Sequence, residues 1–133
     1  MSNKEKVYLA GGMKSGWQDR IINKFENKFI FFNPCDHCLS VSKQYTTWDL
    51  HFLKKSDLVF AYLEKDNPSG IGLTLEVGYA KALNKTVILI DERSKIDEDF
   101  AIKFKIVRDS ASIVFDDLES GLNFLDRFSI YST

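Results

Sequence analysis

The sequence predicts a single α/β domain, a three-layer sandwich whose five-stranded parallel sheet is covered by helices on both faces. Three observations predict it. Five short runs are apolar throughout, without the alternation of a sheet that has one wet face. Between them lie longer stretches whose apolar residues recur at helical spacing. The length, 133 residues, suits one domain, so the span 1–133 reads as a single unit.

The elements follow in order. Val7-Tyr8-Leu9-Ala10 is a buried strand, and Gly11-Gly12 breaks it. Ser15-Gly16 ends that loop, after which Trp17, Ile21, Ile22 and Phe25 mark one face of a helix. Phe29-Ile30-Phe31-Phe32 is the second strand, and a polar loop runs from 33 to about 44. Trp48, Phe52 and Leu53 mark a second helix that ends near Lys55. Leu58-Val59-Phe60-Ala61-Tyr62 is the third strand. Residues 64–72 form a polar loop punctuated by Pro68, Gly70 and Gly72. A helix over 73–83 leads to the fourth strand, Thr86-Val87-Ile88-Leu89-Ile90. A short helix over about 98–104, a fifth strand over 112–115 and a last helix over 118–128 complete the chain, with Leu122, Leu125 and Phe128 inward.

Composition narrows the function classes. A domain of this size buries roughly two thirds of its unfolded surface and needs no staple. Hydrophobic residues are 44% and aromatics 14%, a core-forming balance. The net charge is −1 and the pI about 6.1, which is not the footprint of a nucleic-acid binder. No apolar run approaches the roughly 20 residues of a membrane span. Met1 to Lys6 is polar, without the apolar segment of an export signal, so a cytoplasmic protein is expected. Cys35 and Cys38 form a C-x-x-C around His37. That spacing can hold zinc or run redox chemistry. The other histidine, His51, is distant in sequence, no second C-x-x-C occurs, and the pair follows a strand and a proline instead of opening a helix. Reduced loop cysteines, with no metal and no cofactor, are expected.

In a parallel sheet of this kind ligands bind outside the carboxyl ends of the strands. Three loops therefore converge on the site: 11–16, 33–44 and 64–72. Gly12 is expected in the first because its backbone approaches a ligand or adopts φ > 0. Glu76 is the most informative side chain. It lies on an otherwise apolar stripe with Leu73, Ala80 and Leu83, and no Lys or Arg stands at i±3 or i±4. Either it is solvated at the edge of that stripe, or it is a carboxylate held in the crevice as nucleophile or base. The run Asn67-Pro68-Ser69-Gly70-Ile71-Gly72 leads into the helix that carries it. Helix N-termini favour anionic or hydroxyl-rich ligands, although a plain turn gives the same pattern. It is not the dinucleotide-binding fingerprint, and no Walker lysine motif occurs. Asp49 reads either as a dipole-stabilising residue behind an N-cap at Thr47 or as a site acid. Trp48 reads as core or as a stacking platform for a base, and Asp57 as a turn residue.

Together these residues resemble the nucleoside 2-deoxyribosyltransferase-like family, to which the 2′-deoxynucleoside 5′-phosphate N-hydrolases are related. Val7-Tyr8-Leu9-Ala10-Gly11-Gly12 is similar to the family's first strand and loop. The run from Gly72 to Lys85 is similar to its nucleophile helix, which reads Gly, three residues, Glu, any, Gly, any, Ala before the turn into the next strand. Ser56-Asp57-Leu58-Val59-Phe60-Ala61 is similar to the strand before the Gly-rich loop. The resemblance spans roughly Val7 to Ile90.

It implies a flavodoxin/Rossmann-like sandwich and N-glycosyl transfer on a nucleoside or nucleotide. By motif, Glu76 matches the nucleophile that attacks the anomeric carbon and expels the base. Tyr8 matches the tyrosine that orients it, and Asp49 the aspartate that contacts the base and assists its protonation. A further loop aspartate of the family has no aligned counterpart, and Asp66, Asn67 or Ser69 stands in its region. A serine there contacts phosphate in the N-hydrolases. Gly11, Gly12, Trp48 and Gly70 complete the implied substrate-binding set. The resemblance implies no cofactor, and a homo-oligomer. Three functions remain open: transfer of the sugar to a second base, hydrolysis with water as acceptor, and a nucleotide-binding module without turnover.

Overall fold

The apolar strands pair in the order that places a crevice beside the first of them. The computed structural model describes residues 3–66 and 70–132. Strands β1 (Lys6–Gly11), β2 (Ile30–Phe32), β3 (Leu58–Leu63), β4 (Thr86–Asp91) and β5 (Ile113–Phe115) form one sheet in the order β2-β1-β3-β4-β5. Every neighbouring pair is parallel. Helices α1 (Trp17–Lys24), α2 (Ser42–Lys55), α3 (Ile71–Ala82), α4 (Glu98–Ser110) and α5 (Leu118–Asp126) alternate with them. The chain is thus the three-layer α/β sandwich that its apolar strands predict.

Right-handed crossovers decide which helix covers which face. The step from β1 to β2 runs one way across the sheet, and the remaining steps run the other. So α1 and α5 share one face, while α2, α3 and α4 share the opposite one. The two cores show it. Tyr8 and Ala10 pack with Leu53, Leu73, Val77, Ala80, Phe104 and Val107. Val7 and Leu9, pointing the other way along the same strand, pack with Trp17, Ile21 and Leu125. β1 is also where the strand order reverses, so its carboxyl end and that of β3 diverge and leave the ligand crevice of such sheets.

Several boundaries differ from the sequence expectation, those of α2 and α4 most. α2 begins at Ser42, and Thr47 lies inside it, its hydroxyl donating to the Lys43 carbonyl at 2.7 Å. Thr47 is therefore not the N-cap. The first turn, Ser42-Lys43-Gln44, is exposed and polar, so no apolar periodicity marks it. α4 runs on to Ser110 because Phe104 and Val107 both face the core, and the Asp97 carboxylate caps it by accepting the Phe100 N–H at 3.0 Å. α5 ends at Asp126, followed by a 3-10 turn over Arg127–Ser129. Asp57 is the turn residue expected, its carboxylate accepting the Lys6 N–H at 2.8 Å at the start of β1.

The demand for glycine after β1 falls on Gly11. Its φ is +148°, and a Cβ there would lie 2.5 Å from the Tyr62 carbonyl oxygen and 2.9 Å from Trp17 Cζ2. Among the described residues the glycines with positive φ are Gly11, Gly16 and Gly70, not Gly12. Gly11→Ala combines backbone strain with overpacking, so it should cost about 2–4 kcal/mol. Thermal denaturation should show a drop on the order of 10 °C. An unchanged melting temperature would mean that the strand end yields. No helix of the described residues is long and apolar enough to cross a membrane.

Candidate active site

Three elements of the α2–α4 face bring the implied catalytic residues together. Tyr8 sits in mid-β1 with no exposed surface. Its ring packs among the apolar residues of that core, and its hydroxyl donates to Glu76 Oε2 of α3. On α3 the inward residues are Leu73, Val77 and Ala80. Glu76 stands beside that stripe, turned toward β1, rather than out into solvent. A carboxylate so placed is costly to ionise. Burial raises Glu76 from the usual carboxylate range to about 7; the Tyr8 hydroxyl opposes the rise and the negative charge of Asp49 adds to it. Burial and the facing Glu76 push the Tyr8 phenol upward, so it stays a hydrogen-bond donor.

Asp49 approaches from α2. Burial raises it too, with nearby His37 pulling the other way. Gly11, Gly12, Asp49, Gly70, Ile71 and Glu76 share the wall of one cavity of about 200 Å³ with Met13 and Pro34. It lies at the diverging ends of β1 and β3 and over the start of α3. Gly70, at φ +62°, is the N-cap of α3 and lets the chain turn into the helix beside the cavity. The loop after β1 is held from below, because the Gly12 carbonyl accepts from Trp17 Nε1 at 2.7 Å and from Gln18 Nε2 at 2.9 Å. Its position is therefore built into α1.

Other predicted residues are not brought to that cavity. Trp48 is half-buried and packs on Phe52, with ring centroids 4.4 Å apart, and edge-on to His37 at 5.1 Å. It is an aromatic brace behind Asp49, not a wall of the cavity. Asp66 is exposed and lines a larger, open depression of about 590 Å³ with Lys65, Arg93 and Asp97. That depression carries charge but none of the Glu76, Asp49 and Tyr8 constellation. Asn67 and Ser69 lie outside the described residues. Sequence reasoning missed His37, weighing it only as a zinc ligand, and missed Met13 and Pro34. The signal for His37 was the aromatic cluster at Tyr45, Trp48 and Phe52, which a buried ring could join.

The cysteines stand on the 3-10 turn over Pro34–Asp36 and just after it, Cys35 half-buried and Cys38 exposed. Among the described residues no three His, Cys, Asp or Glu side chains are grouped to hold a metal. Cys35→Ser with Cys38→Ser is expected to leave turnover within about twofold of the parent, a change too small to carry a catalytic role. Elemental analysis showing one zinc per chain would contradict this.

Known proteins share this arrangement of elements. Residues 4–94 match the family described as nucleoside 2-deoxyribosyltransferase like. Among solved structures, a 2-deoxyribosyltransferase from Bacillus psychrosaccharolyticus is 20% identical, with a TM-score of 0.67 over 91% of this chain and 90% of that one. The CMP N-glycosidase of Clostridium botulinum is 23% identical, with a TM-score of 0.61 over 93% and 99%. A 2-deoxyribosyltransferase from Leishmania mexicana is 14% identical, with a TM-score of 0.68 over 96% and 99%. At these identities the structural likeness speaks to the fold. No curated protein matches the chain in sequence.

Proposed function

The chain belongs to the nucleoside 2-deoxyribosyltransferase-like family, and on that premise we propose that it cleaves the bond between base and (deoxy)ribose through a Glu76 glycosyl-enzyme intermediate and passes the sugar to a second base. The family indicates deoxyribosyltransferase or N-glycosidase activity on a nucleoside or nucleotide. One observation carries the finer reading: the Glu76 carboxylate, largely desolvated and held by the Tyr8 hydroxyl, opens on a cavity it shares with Asp49.

The chemistry follows from that placement. A Glu76 oxygen attacks the anomeric carbon as the carbon–nitrogen bond breaks. The bonding pair leaves on the base nitrogen, which Asp49 helps to protonate. The acceptor nitrogen then attacks the same carbon from the vacated side and frees Glu76. Two displacements retain the anomeric configuration, the logic of retaining glycoside chemistry. Tyr8 keeps one Glu76 oxygen occupied, leaving the other to attack. Desolvation makes that carboxylate a stronger nucleophile once ionised. No metal or organic cofactor enters the scheme.

Incubation with deoxynucleosides and with their 5′-monophosphates, with and without a free acceptor base, tests this reading. Base exchange supports transfer, release of free sugar supports the hydrolase, and no reaction on either substrate supports a binding module. The same reading makes the protein a cytoplasmic enzyme of nucleotide metabolism and a homo-oligomer. Support for assembly comes from α3, whose outward face carries Ile71 and Leu75, 75% and 57% exposed, in line with Gly78. Sedimentation at micromolar concentration is expected to show a dimer or larger species, and a monomer alone would contradict it.

A further inference from the structure

We propose that His37 is a positioning residue for Asp49, donating its Nε2–H to Asp49 Oδ1 so that the other carboxylate oxygen faces the cavity and exchanges the proton of the leaving base. This rests on the proposed N-glycosyl transfer. The observations are geometric. The His37 side chain is only 6% exposed, and its Nε2 stands 3.4 Å from Asp49 Oδ1. Its other nitrogen, Nδ1, accepts the Leu39 N–H at 2.9 Å. A nitrogen that accepts must present a lone pair, so the ring proton sits on Nε2, toward Asp49. Asp49 Oδ1 is itself buried and closes no hydrogen bond among the described residues. A buried carboxylate oxygen without a donor is costly, and a shift of a few tenths of an ångström would close the contact with Nε2.

The ring cannot easily leave that position. Trp48 meets it edge-on at 5.1 Å, and Tyr45 stacks on it at 6.4 Å. The loop beneath is fixed by the Asn33 side chain, which accepts the Cys35 N–H at 3.0 Å, and by the left-handed φ of 53° at Cys38. So the Cys35–Cys38 segment serves to hold the histidine against α2. The Asp49 charge bears in turn on Glu76 of α3 and Tyr8 of β1, and Tyr45 of α2 lies against His37.

The proton balance is simple. In the first displacement the proton moves from Asp49 Oδ2 to the departing base nitrogen, and the new carboxylate is stabilised by His37 Nε2–H. In the second, Asp49 takes the proton of the acceptor nitrogen or water back. His37 keeps its own proton throughout, which is why it positions and does not itself transfer. Its effect should therefore appear only where leaving needs a proton.

The test compares His37→Ala and His37→Gln with the parent on an ordinary purine nucleoside and on its 7-methyl cation, whose base departs neutral without protonation. On the ordinary nucleoside His37→Ala should lower kcat by about 10- to 100-fold, with KM changed by less than about threefold. On the 7-methyl substrate the loss should stay below about threefold, and His37→Gln, which restores an N–H donor, should recover part of the rate. Equal losses on both substrates would assign His37 a structural role and overturn the proposal, as would no loss on either. An NMR readout is independent of turnover. The parent should show a slowly exchanging proton on His37 Nε2 that loses its protection in Asp49→Ala. A proton on Nδ1 instead would overturn the pairing even in an active enzyme. If the parent cleaves neither these nor the pyrimidine nucleosides and 5′-monophosphates, the N-glycosyl reading fails while the spectrum still decides the pairing.

Discussion

Replacing Glu76 by glutamine is expected to lower turnover by at least about 10³-fold while leaving the fold intact, because the covalent route needs a carboxylate oxygen and binding alone does not substitute for it. Glutamine keeps the volume, and its amide oxygen can still accept from Tyr8. Circular dichroism and the Tyr8-centred core should therefore be unchanged. The ionisation of Glu76 gives two further signatures. As nucleophile Glu76 must be deprotonated, so kcat/KM of the parent should fall on the acid side of a midpoint near 7. Because Asp49 must hold the proton for the departing base, the profile should fall again at higher pH, as a bell. Its folded-state pKa lies above the unfolded value. The folded protein thus binds more protons between the usual carboxylate range and about 7, and stability falls as pH rises across that window. The glutamine variant lacks this term. Its melting temperature should exceed the parent's above pH 7, with the gap narrowing as the pH falls through that window. A parent-like rate for Glu76→Gln would remove the nucleophile from the account.

Asp49→Asn should cost about 10²–10⁴-fold on substrates whose base leaves only when protonated. The asparagine is nearly isosteric, and its amide oxygen can still meet His37 Nε2. What it lacks is a proton that can be given up and recovered. The loss should therefore fall on kcat, with little change in KM, and shrink for a base that departs without a proton. Steady-state kinetics on both kinds of substrate checks this. Equal losses on both would make Asp49 a binding or structural residue.

Much of this architecture was legible in the chain. Strands apolar on every residue, such as Leu58 to Tyr62, can only be buried on both faces, and that dictates a parallel sheet under two helix layers. The position of Glu76 was legible for a related reason: a carboxylate beside Leu73 and Ala80 without a basic neighbour on its helix needs a partner from another element. That partner is Tyr8, far away in sequence. The start of α2 was not legible, since Ser42, Lys43 and Gln44 carry no apolar signal and Val41 no capping side chain. Nor was the pairing of His37 with Asp49, which depends on how a 3-10 turn after β2 aims one ring at the next helix. Tertiary contacts of that kind leave no period in the sequence. Trp48 shows the opposite case: an aromatic on α2 that pattern alone could place in the cavity, and that packing on Phe52 and His37 draws behind it.

The central claim is a covalent bond between Glu76 and the sugar. Incubation with a 2-fluoro sugar analogue of the substrate, which forms the glycosyl-enzyme but slows its resolution, followed by proteolysis and mass spectrometry, tests it most directly. The account predicts a stoichiometric adduct on the peptide that contains Glu76, absent from Glu76→Gln. Turnover of the true substrate with no adduct on Glu76, or an adduct on another residue, would contradict it.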